Sequence, residues 1–158
     1  FRISYIGRLY EFQSTALIEQ AVHELNLPNL ELNIHTHEYQ PIPLDKVGDE
    51  LRHSSIVLVL TNPNTKGMMT TKFYEAFGCE KPVLCTPSDN GLLAQTIRQT
   101  NAGLASSDIN EIKEFIIEKY REWQQNGYTR QAVINKEQFS REKQAQQFEQ
   151  LFLQCIQQ

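Results

Sequence analysis

The residues with the clearest potential for binding chemistry follow the longest apolar segment of the chain. Lys66, Gly67, Thr70, Thr71 and Lys72 lie in a loop and at the predicted start of a helix. A helix N-terminus presents unpaired backbone N–H groups and a partial positive charge, and lysine and threonine side chains add further donors. The segment therefore predicts a phosphate-binding site. The alternative is that its polar groups only cap the helix.

Glu75 belongs to the first two turns of the same predicted helix. Its carboxylate would lie close enough to a bound phosphate to accept hydrogen bonds from an attached sugar. The alternative is a structural role, because a carboxylate near a helix N-terminus is stabilised by about 0.3–1 kcal/mol through the helix dipole. The sequence leaves both roles open.

A second polar pair, Gly7 and Arg8, follows the first predicted strand. Glycine lets a ligand approach the backbone, and an arginine guanidinium binds phosphate oxygens in a bidentate manner. No Gly-x-Gly-x-x-Gly and no Gly-x-x-x-x-Gly-Lys-Ser/Thr motif occurs in the chain, so the dinucleotide and ATPase fingerprints are absent. Alternatively, the pair is a strand-ending glycine beside a surface arginine.

His35 and His37 lie at alternate positions of a predicted strand, a spacing that places both rings on one face. Zinc needs three or four ligands, and no fourth group follows from the sequence, so we expect no metal site. As strand-end residues, the histidines line a ligand cleft or are ordinary surface residues. The chain also lacks a Gly-x-Ser-x-Gly elbow and the local signatures of cysteine proteases, so hydrolysis is not supported.

Composition excludes several classes of protein. The 158 residues carry 15 Lys and Arg against 19 Asp and Glu, a net charge of -4, and basic residues form no runs, so nucleic acid is not an expected partner. Three cysteines without a Cys-x-x-Cys pair indicate a reducing, cytoplasmic setting. No signal peptide and no apolar stretch of about 20 residues is present. Because the chain opens at Phe1 without Met, we expect a domain of a longer protein.

Strands and helices alternate along the predicted chain. Residues 56–60 are five consecutive aliphatics, a pattern typical of a strand covered on both faces of a parallel sheet. The other predicted strands are 3–6, 30–35, 83–85 and 103–105. The predicted helices are 15–25 with Ser14 as N-cap, 45–52 with an interruption at Gly48, 71–78, 92–100 and 110–125. This alternation predicts an α/β fold: a Rossmann-like, doubly wound parallel sheet of about five to six strands that binds ligands at the carboxyl ends of its strands.

The last segment, from Phe139 onward, has apolar residues at helical spacing. Ser140 is its predicted N-cap. The apolar positions are Ala145, Phe148, Leu151, Phe152, Cys155 and Ile156. An amphipathic helix is therefore expected at the carboxyl end of the chain.

Four short segments carry a family resemblance: YIGRL at 5–9, KFYEAFG at 72–78, KPVL at 81–84 and AGL at 102–104. In this order they resemble the carboxyl-terminal half of GT-B-fold glycosyltransferases of the retaining, nucleotide-sugar-using kind. The resemblance covers essentially the whole chain, and KFYEAFGCEKPVL is its most specific part. It implies that residues 1–158 form a single domain that binds a nucleoside diphosphate sugar.

The resemblance also implies roles for particular residues. Glu75 matches the second glutamate of the family's Glu-x7-Glu motif, which holds the ribose hydroxyls. Arg8 matches an arginine that faces the diphosphate. Gly67 stands where the family has the first glutamate, which contacts the donor sugar, and Gln13 is nearest the place of a lysine that follows the arginine. The sequence therefore leaves the base, the donor sugar and the stereochemical outcome open.

By the same resemblance, a glycan or lipid-linked acceptor binds an amino-terminal domain outside this chain, and the full-length enzyme associates peripherally with a membrane. No cofactor is expected, because Arg8, Lys72 and helix N–H groups offset the diphosphate charge. Two alternatives stay open. One is a catalytically silent interaction domain of the same fold. The other is a receiver-like signalling domain, which the residues after the first and third strands disfavour because they are not acidic.

Overall fold

A computed structural model describes residues 1–156, so the last two residues of the predicted domain lie outside the described part. The described chain is an α/β domain with five strands and six α-helices. The strands are β1 (Arg2–Ile6), β2 (Glu31–His35), β3 (Ile56–Val59), β4 (Val83–Cys85) and β5 (Gly103–Ala105). The helices are α1 (Ala16–Leu25), α2 (Leu44–His53), α3 (Thr71–Gly78), α4 (Leu92–Gln99), α5 (Ile109–Asn126) and α6 (Arg141–Ile156), with a 3-10 helix at Lys136–Phe139.

All strand pairs are parallel, in the order β2-β1-β3-β4-β5. The predicted doubly wound sheet is thereby confirmed. The chain moves outward from β1 to β2 in one direction and from β3 to β5 in the other. The order therefore reverses between β1 and β3, and in such sheets a ligand binds outside the carboxyl ends of the strands at this switch point.

The core consists of two layers, one on each face of the sheet. Strand β3 contributes to both, because Ile56, Leu58 and Leu60 point to one layer while Val57 and Val59 point to the other. The first layer also contains residues of α1 and α5, and the second contains residues of α2, α3 and α4. This two-sided burial explains why β3 is aliphatic at every position.

One local prediction is supported and another is wrong. Thr15, the residue before α1, makes no side-chain cap, whereas the Ser14 hydroxyl accepts a hydrogen bond from the Ala16 N–H at 3.2 Å, the contact expected of the predicted cap. The predicted interruption of the second helix is wrong. Helix α2 continues through Gly48 without interruption. Its Leu51 is buried in the core, and such tertiary packing outweighs the 0.5–1 kcal/mol or so that a glycine costs inside a helix.

After α5, the chain runs back along the amino-terminal edge of the sheet. The Thr129 hydroxyl donates to the Ser55 carbonyl oxygen, and the Gln131 N–H donates to the Glu80 carbonyl oxygen at 2.8 Å. Phe139 then packs against the aromatic residues of α3.

Helix α6 is exposed along its whole length. Ser140 caps it as predicted, because its hydroxyl accepts a hydrogen bond from the Lys143 N–H at 3.1 Å. The apolar stripe of α6 therefore lies on the surface and adds nothing to the core. No helix within residues 1–156 is both long enough and apolar enough to cross a membrane.

Candidate functional site

The carboxyl ends of β1 and β3 bring Gly7 and Lys72 into contact. A Cβ at Gly7 would lie 2.7 Å from Lys72 Cε and 2.8 Å from Lys72 Nζ. The Gly7 φ of +135° is also one that residues with side chains rarely adopt. Glycine at this position thus leaves room for the lysine amine directly over the end of the strand. The two residues were predicted separately as ligand groups, and the fold joins them.

Lys72 is a half-buried cation in the first turn of α3. Its Nζ lies 5.1 Å from the centre of the Tyr5 ring. Within residues 1–156 the ammonium forms no salt bridge and no hydrogen bond. Burial lowers the pKa of Lys72, and the nearby Glu75 raises it by a smaller amount. The amine can therefore accept an anion at the switch point of the sheet.

Tyr5 is a component of this site that the sequence analysis did not single out. Its ring lies beneath Lys72, and its hydroxyl donates to the Arg8 carbonyl oxygen at 2.5 Å. Burial, with a smaller effect of Tyr10, raises the pKa of Tyr5 to about 12. Tyr5 therefore stays protonated and positions both Lys72 and the Arg8 backbone. The only indication in the sequence was that Tyr5 alternates with Ile6 in the predicted strand, which places the two side chains on opposite faces of the sheet.

Helix α3 supplies the remaining predicted donors. Thr70 is its N-cap, and the Thr70 hydroxyl accepts a hydrogen bond from the Phe73 N–H at 3.3 Å. Thr71, the first helical residue, is exposed, and Lys72 follows it. The first-turn N–H groups other than that of Phe73 therefore face the same edge of the sheet as Lys72.

Glu75 is exposed and lies beyond the first turn of α3. The helix-dipole effect falls off within the first turn, so this position is poorly placed for the purely structural role. Its carboxylate is one helical turn from Lys72 and influences that lysine electrostatically.

The loop between β3 and α3 is held against the start of α4. The Leu92 N–H donates to the Lys66 carbonyl oxygen at 2.7 Å. The next residue, Gly67, is exposed, and a Cβ added there would meet nothing within 4 Å. Gly67 therefore lies in open space that leaves room for a side chain.

Gln13 connects the loop after β1 to the end of β3. Its Nε2 donates to the Leu60 carbonyl oxygen at 2.6 Å, and its Oε1 accepts from the Tyr10 N–H at 3.0 Å. Both ends of the amide are thus used within the protein. Gln13 has a positioning role at the switch point and contributes no charge.

Arg8 lines a cleft between the loops that follow β1 and β2, and its guanidinium carbon lies 5.3 Å from the centre of the Tyr10 ring. The cleft has a volume of about 870 Å³. Its lining includes Arg8, Tyr10, Phe12, Thr36, His37 and Glu38, but none of the predicted residues of α3 or its preceding loop. Arg8 and the predicted residues of α3 therefore do not line one common cleft.

The two histidines do not act together. The His35 Nδ1 contacts the Gln40 carbonyl oxygen at 2.9 Å, and its Nε2 lies 3.7 Å from a Glu50 carboxylate oxygen. His37 is exposed at the cleft. The expectation that both rings share one face is wrong, because β2 ends at His35 and the chain turns there. Among residues 1–156, no cluster of three or more His, Cys, Asp or Glu side chains is arranged to hold a metal ion.

The strand order is also that of receiver-like signalling domains. Such a domain needs an acceptor aspartate after β3, where this chain has Thr61. Asp89 is buried nearby, but its carboxylate already accepts hydrogen bonds from two backbone N–H groups of α4. Lys81 precedes β4 and so lies at the opposite edge of the sheet. These positions do not favour phosphoacceptor chemistry.

Comparison with known proteins gives no relative for this chain. No family model, curated protein or solved structure matches it. The function is therefore inferred from the contacts at the carboxyl edge of the sheet.

Proposed function

We propose that this chain is the donor-binding domain of a glycosyltransferase that moves a sugar from a nucleoside diphosphate onto a glycan or lipid-linked acceptor. The observation that carries the proposal is the contact between Lys72 and Gly7 at the switch point. A partly desolvated ammonium that has no salt bridge within residues 1–156, in the first turn of a helix whose N-terminal N–H groups lack intrahelical partners, is a site for a diphosphate. The resemblance of the YIGRL and KFYEAFG segments to GT-B enzymes supports a sugar nucleotide as the source of that diphosphate.

Different residues contact different parts of the ligand. In this proposal Lys72, Thr71 and the α3 N-terminus hold the diphosphate, while Gly7 leaves the space in which the Lys72 amine lies. Glu75 accepts hydrogen bonds from the ribose. Arg8 follows the same strand end. Its guanidinium carbon lies 5.3 Å from the centre of the Tyr10 ring, so the side chain reaches the diphosphate only if it moves away from that ring.

Transfer in this class depends on stabilising the departing diphosphate with preorganised positive groups. Lys72 is such a group, because Tyr5 and Gly7 fix its position before a ligand arrives. The acceptor would bind another domain of the enzyme. The three free cysteines are compatible with the cytoplasmic setting that we propose for it.

Calorimetric titration of the chain with UDP, GDP, ADP and dTDP, and with their common sugar conjugates, tests the proposal. We expect one nucleotide series to bind and Lys72→Met to weaken that binding about tenfold or more, because a hydrogen bond to a charged group is lost. Lys81→Met is the matched control, since Lys81 is also half-buried with a pKa lowered by burial but lies at the opposite edge.

The outcomes separate the alternatives. Unchanged nucleotide affinity in Lys72→Met would show that the diphosphate does not bind at Lys72. Absence of binding to every nucleotide would favour the silent interaction domain. An equal loss of affinity in Lys81→Met would indicate a general electrostatic effect.

A further inference from the structure

The cleft that contains Arg8 has features that the diphosphate site does not use. It lies between the loop after β1 and the loop after β2, at the same edge of the sheet as Lys72. The side chains that carry the inference are Arg8, Tyr10, Glu11, Phe12, His37 and Glu38.

Tyr10 and Phe12 form an exposed aromatic platform on one wall. Their rings are stacked, with centres 5.5 Å apart and planes inclined by 6°. Each residue is 46% exposed although both are large and apolar. Because the rings already contact each other, nothing flat can insert between them, and a ligand must lie across the outside of the pair.

The platform is held in place before any ligand binds. The Phe12 carbonyl oxygen accepts a hydrogen bond from Asn62 Nδ2 at 3.0 Å. The Tyr10 N–H is held by Gln13, and the Arg8 carbonyl oxygen by Tyr5. Binding therefore requires little ordering of this loop, which lowers its entropic cost.

The charges of the cleft favour a neutral ligand that is rich in hydroxyl groups. Arg8 contributes one positive charge, whereas Glu11 and Glu38 contribute two negative charges. Their side chains form no salt bridges in the part of the chain that the structure describes. Two unpaired carboxylates repel an anion but accept hydrogen bonds from hydroxyls, and the guanidinium donates hydrogen bonds to them.

The volume indicates an extended ligand. About 870 Å³ lies near the upper end of the range of roughly 300–1,000 Å³ for small-molecule sites. A single nucleobase would fill a small part of this space. A chain of several sugar rings would occupy it, with an apolar ring face on Phe12 and hydroxyls toward the carboxylates and toward Arg8, whose guanidinium lies over the Tyr10 ring.

We propose that this cleft binds a neutral oligosaccharide, which packs a sugar ring on Phe12, beside Tyr10, with its hydroxyls on Arg8, Glu11 and Glu38. The ligand would meet this domain directly, at a site next to that of the sugar nucleotide. This inference goes beyond the proposed function and does not depend on it, because no nucleotide takes part in binding at the cleft.

Ligand-detected and amide-detected NMR titrations test the proposal with cellohexaose, maltohexaose and chitohexaose as probes. We expect at least one of them to bind and to shift the amide signals of Tyr10, Phe12 and His37. Phe12→Ala should weaken that binding about tenfold, which is about 1.4 kcal/mol. Tyr128→Ala is the control, because Tyr128 is similarly exposed but follows α5 at the opposite edge of the sheet.

Uridine and guanosine form a second arm, since these nucleosides offer a base without phosphate. Binding of a nucleoside at Tyr10 and Phe12, without oligosaccharide binding, would overturn the saccharide assignment. Failure of all three oligosaccharides to bind would also overturn it, as would an equal loss in Tyr128→Ala. Failure of the oligosaccharides leaves the nucleotide titrations unaffected, and loss of nucleotide binding in Lys72→Met leaves the oligosaccharide titrations unaffected, so the two proposals fail separately. Nucleoside binding at this cleft would overturn the saccharide assignment and count in favour of a nucleotide ligand.

Discussion

Gly91 lies directly against the backbone of Lys66. A Cβ at position 91 would be 2.3 Å from the Lys66 carbonyl oxygen and 2.6 Å from its Cα. The adjacent Leu92 N–H donates to the same carbonyl oxygen. This close approach fixes the loop that leads into α3, and through it the position of the candidate phosphate site.

Gly91→Ala should therefore destabilise the protein by about 1–3 kcal/mol, because backbone cannot move aside as a flexible side chain would. Gly67→Ala in the same loop is the control. It should change the free energy of unfolding by no more than about 0.5 kcal/mol, since a Cβ there meets open space. Urea denaturation of both variants measures the difference, and equal stabilities would mean that the loop is not held by this contact.

The lowered pKa of Lys72 predicts a specific pH dependence. Burial disfavours the charged amine in the native state, so the unfolded state, with its ordinary value of 10.5, binds more protons between the two pKa values. The stability penalty of the charged lysine is complete below the native pKa and disappears as the pH rises toward 10.5. Native stability relative to Lys72→Met should therefore rise with pH through that window.

Urea melts of native protein and Lys72→Met at a series of alkaline pH values measure this difference. Comparing the two cancels the contributions of other lysines and of Tyr5. A difference that falls as the pH rises would show that Lys72 gains a stabilising anionic partner within the folded chain.

Glu75→Gln separates ribose binding from a structural role. If the carboxylate holds ribose hydroxyls, the substitution should weaken nucleoside diphosphate binding about tenfold or more. It should leave pyrophosphate binding unchanged, because pyrophosphate has no ribose. Stability should change little, since Glu75 is exposed beyond the first turn of α3. Calorimetry with both ligands distinguishes the two roles. An equal loss of affinity for the nucleoside diphosphate and for pyrophosphate would indicate that Glu75 acts electrostatically on Lys72 and does not bind the ribose.

Phe139 should stabilise the helix that carries the site. Its ring lies 5.6 Å from Phe77 and 5.7 Å from Tyr74, measured between ring centres. Phe139→Ala should lower the free energy of unfolding by roughly 2 kcal/mol. Phe148→Ala on α6 is the matched control, because Phe148 is 61% exposed and should contribute far less. Equal effects in thermal melts would mean that α6 packs against the domain in solution.

Much of the fold was predictable because it depends on neighbouring residues. The five aliphatics of 56–60 indicate a strand buried on both faces. Thr70 marks the start of α3 at Thr71, and the Lys81-Pro82 pair limits its end, which lies at Gly78. The end of α5 follows from Gly127, whose positive φ of 77° suits a residue without a side chain. These choices are made by local backbone preferences and by hydrophobic periodicity.

Tertiary structure decided the composition of the candidate site. The local sequence around Lys72 does not contain Gly7, and only the placement of β1 beside β3 brings the amine over the strand end. Strand order likewise opens the cleft between Arg8 and His37, while His35, still within β2, lies 3.7 Å from Glu50. Side-chain direction and pairing over long distances depend on packing of the whole chain, which local residue patterns do not encode. Local residue patterns thus specify the strands, the helices and the chemical groups available, and the fold specifies which of these groups meet.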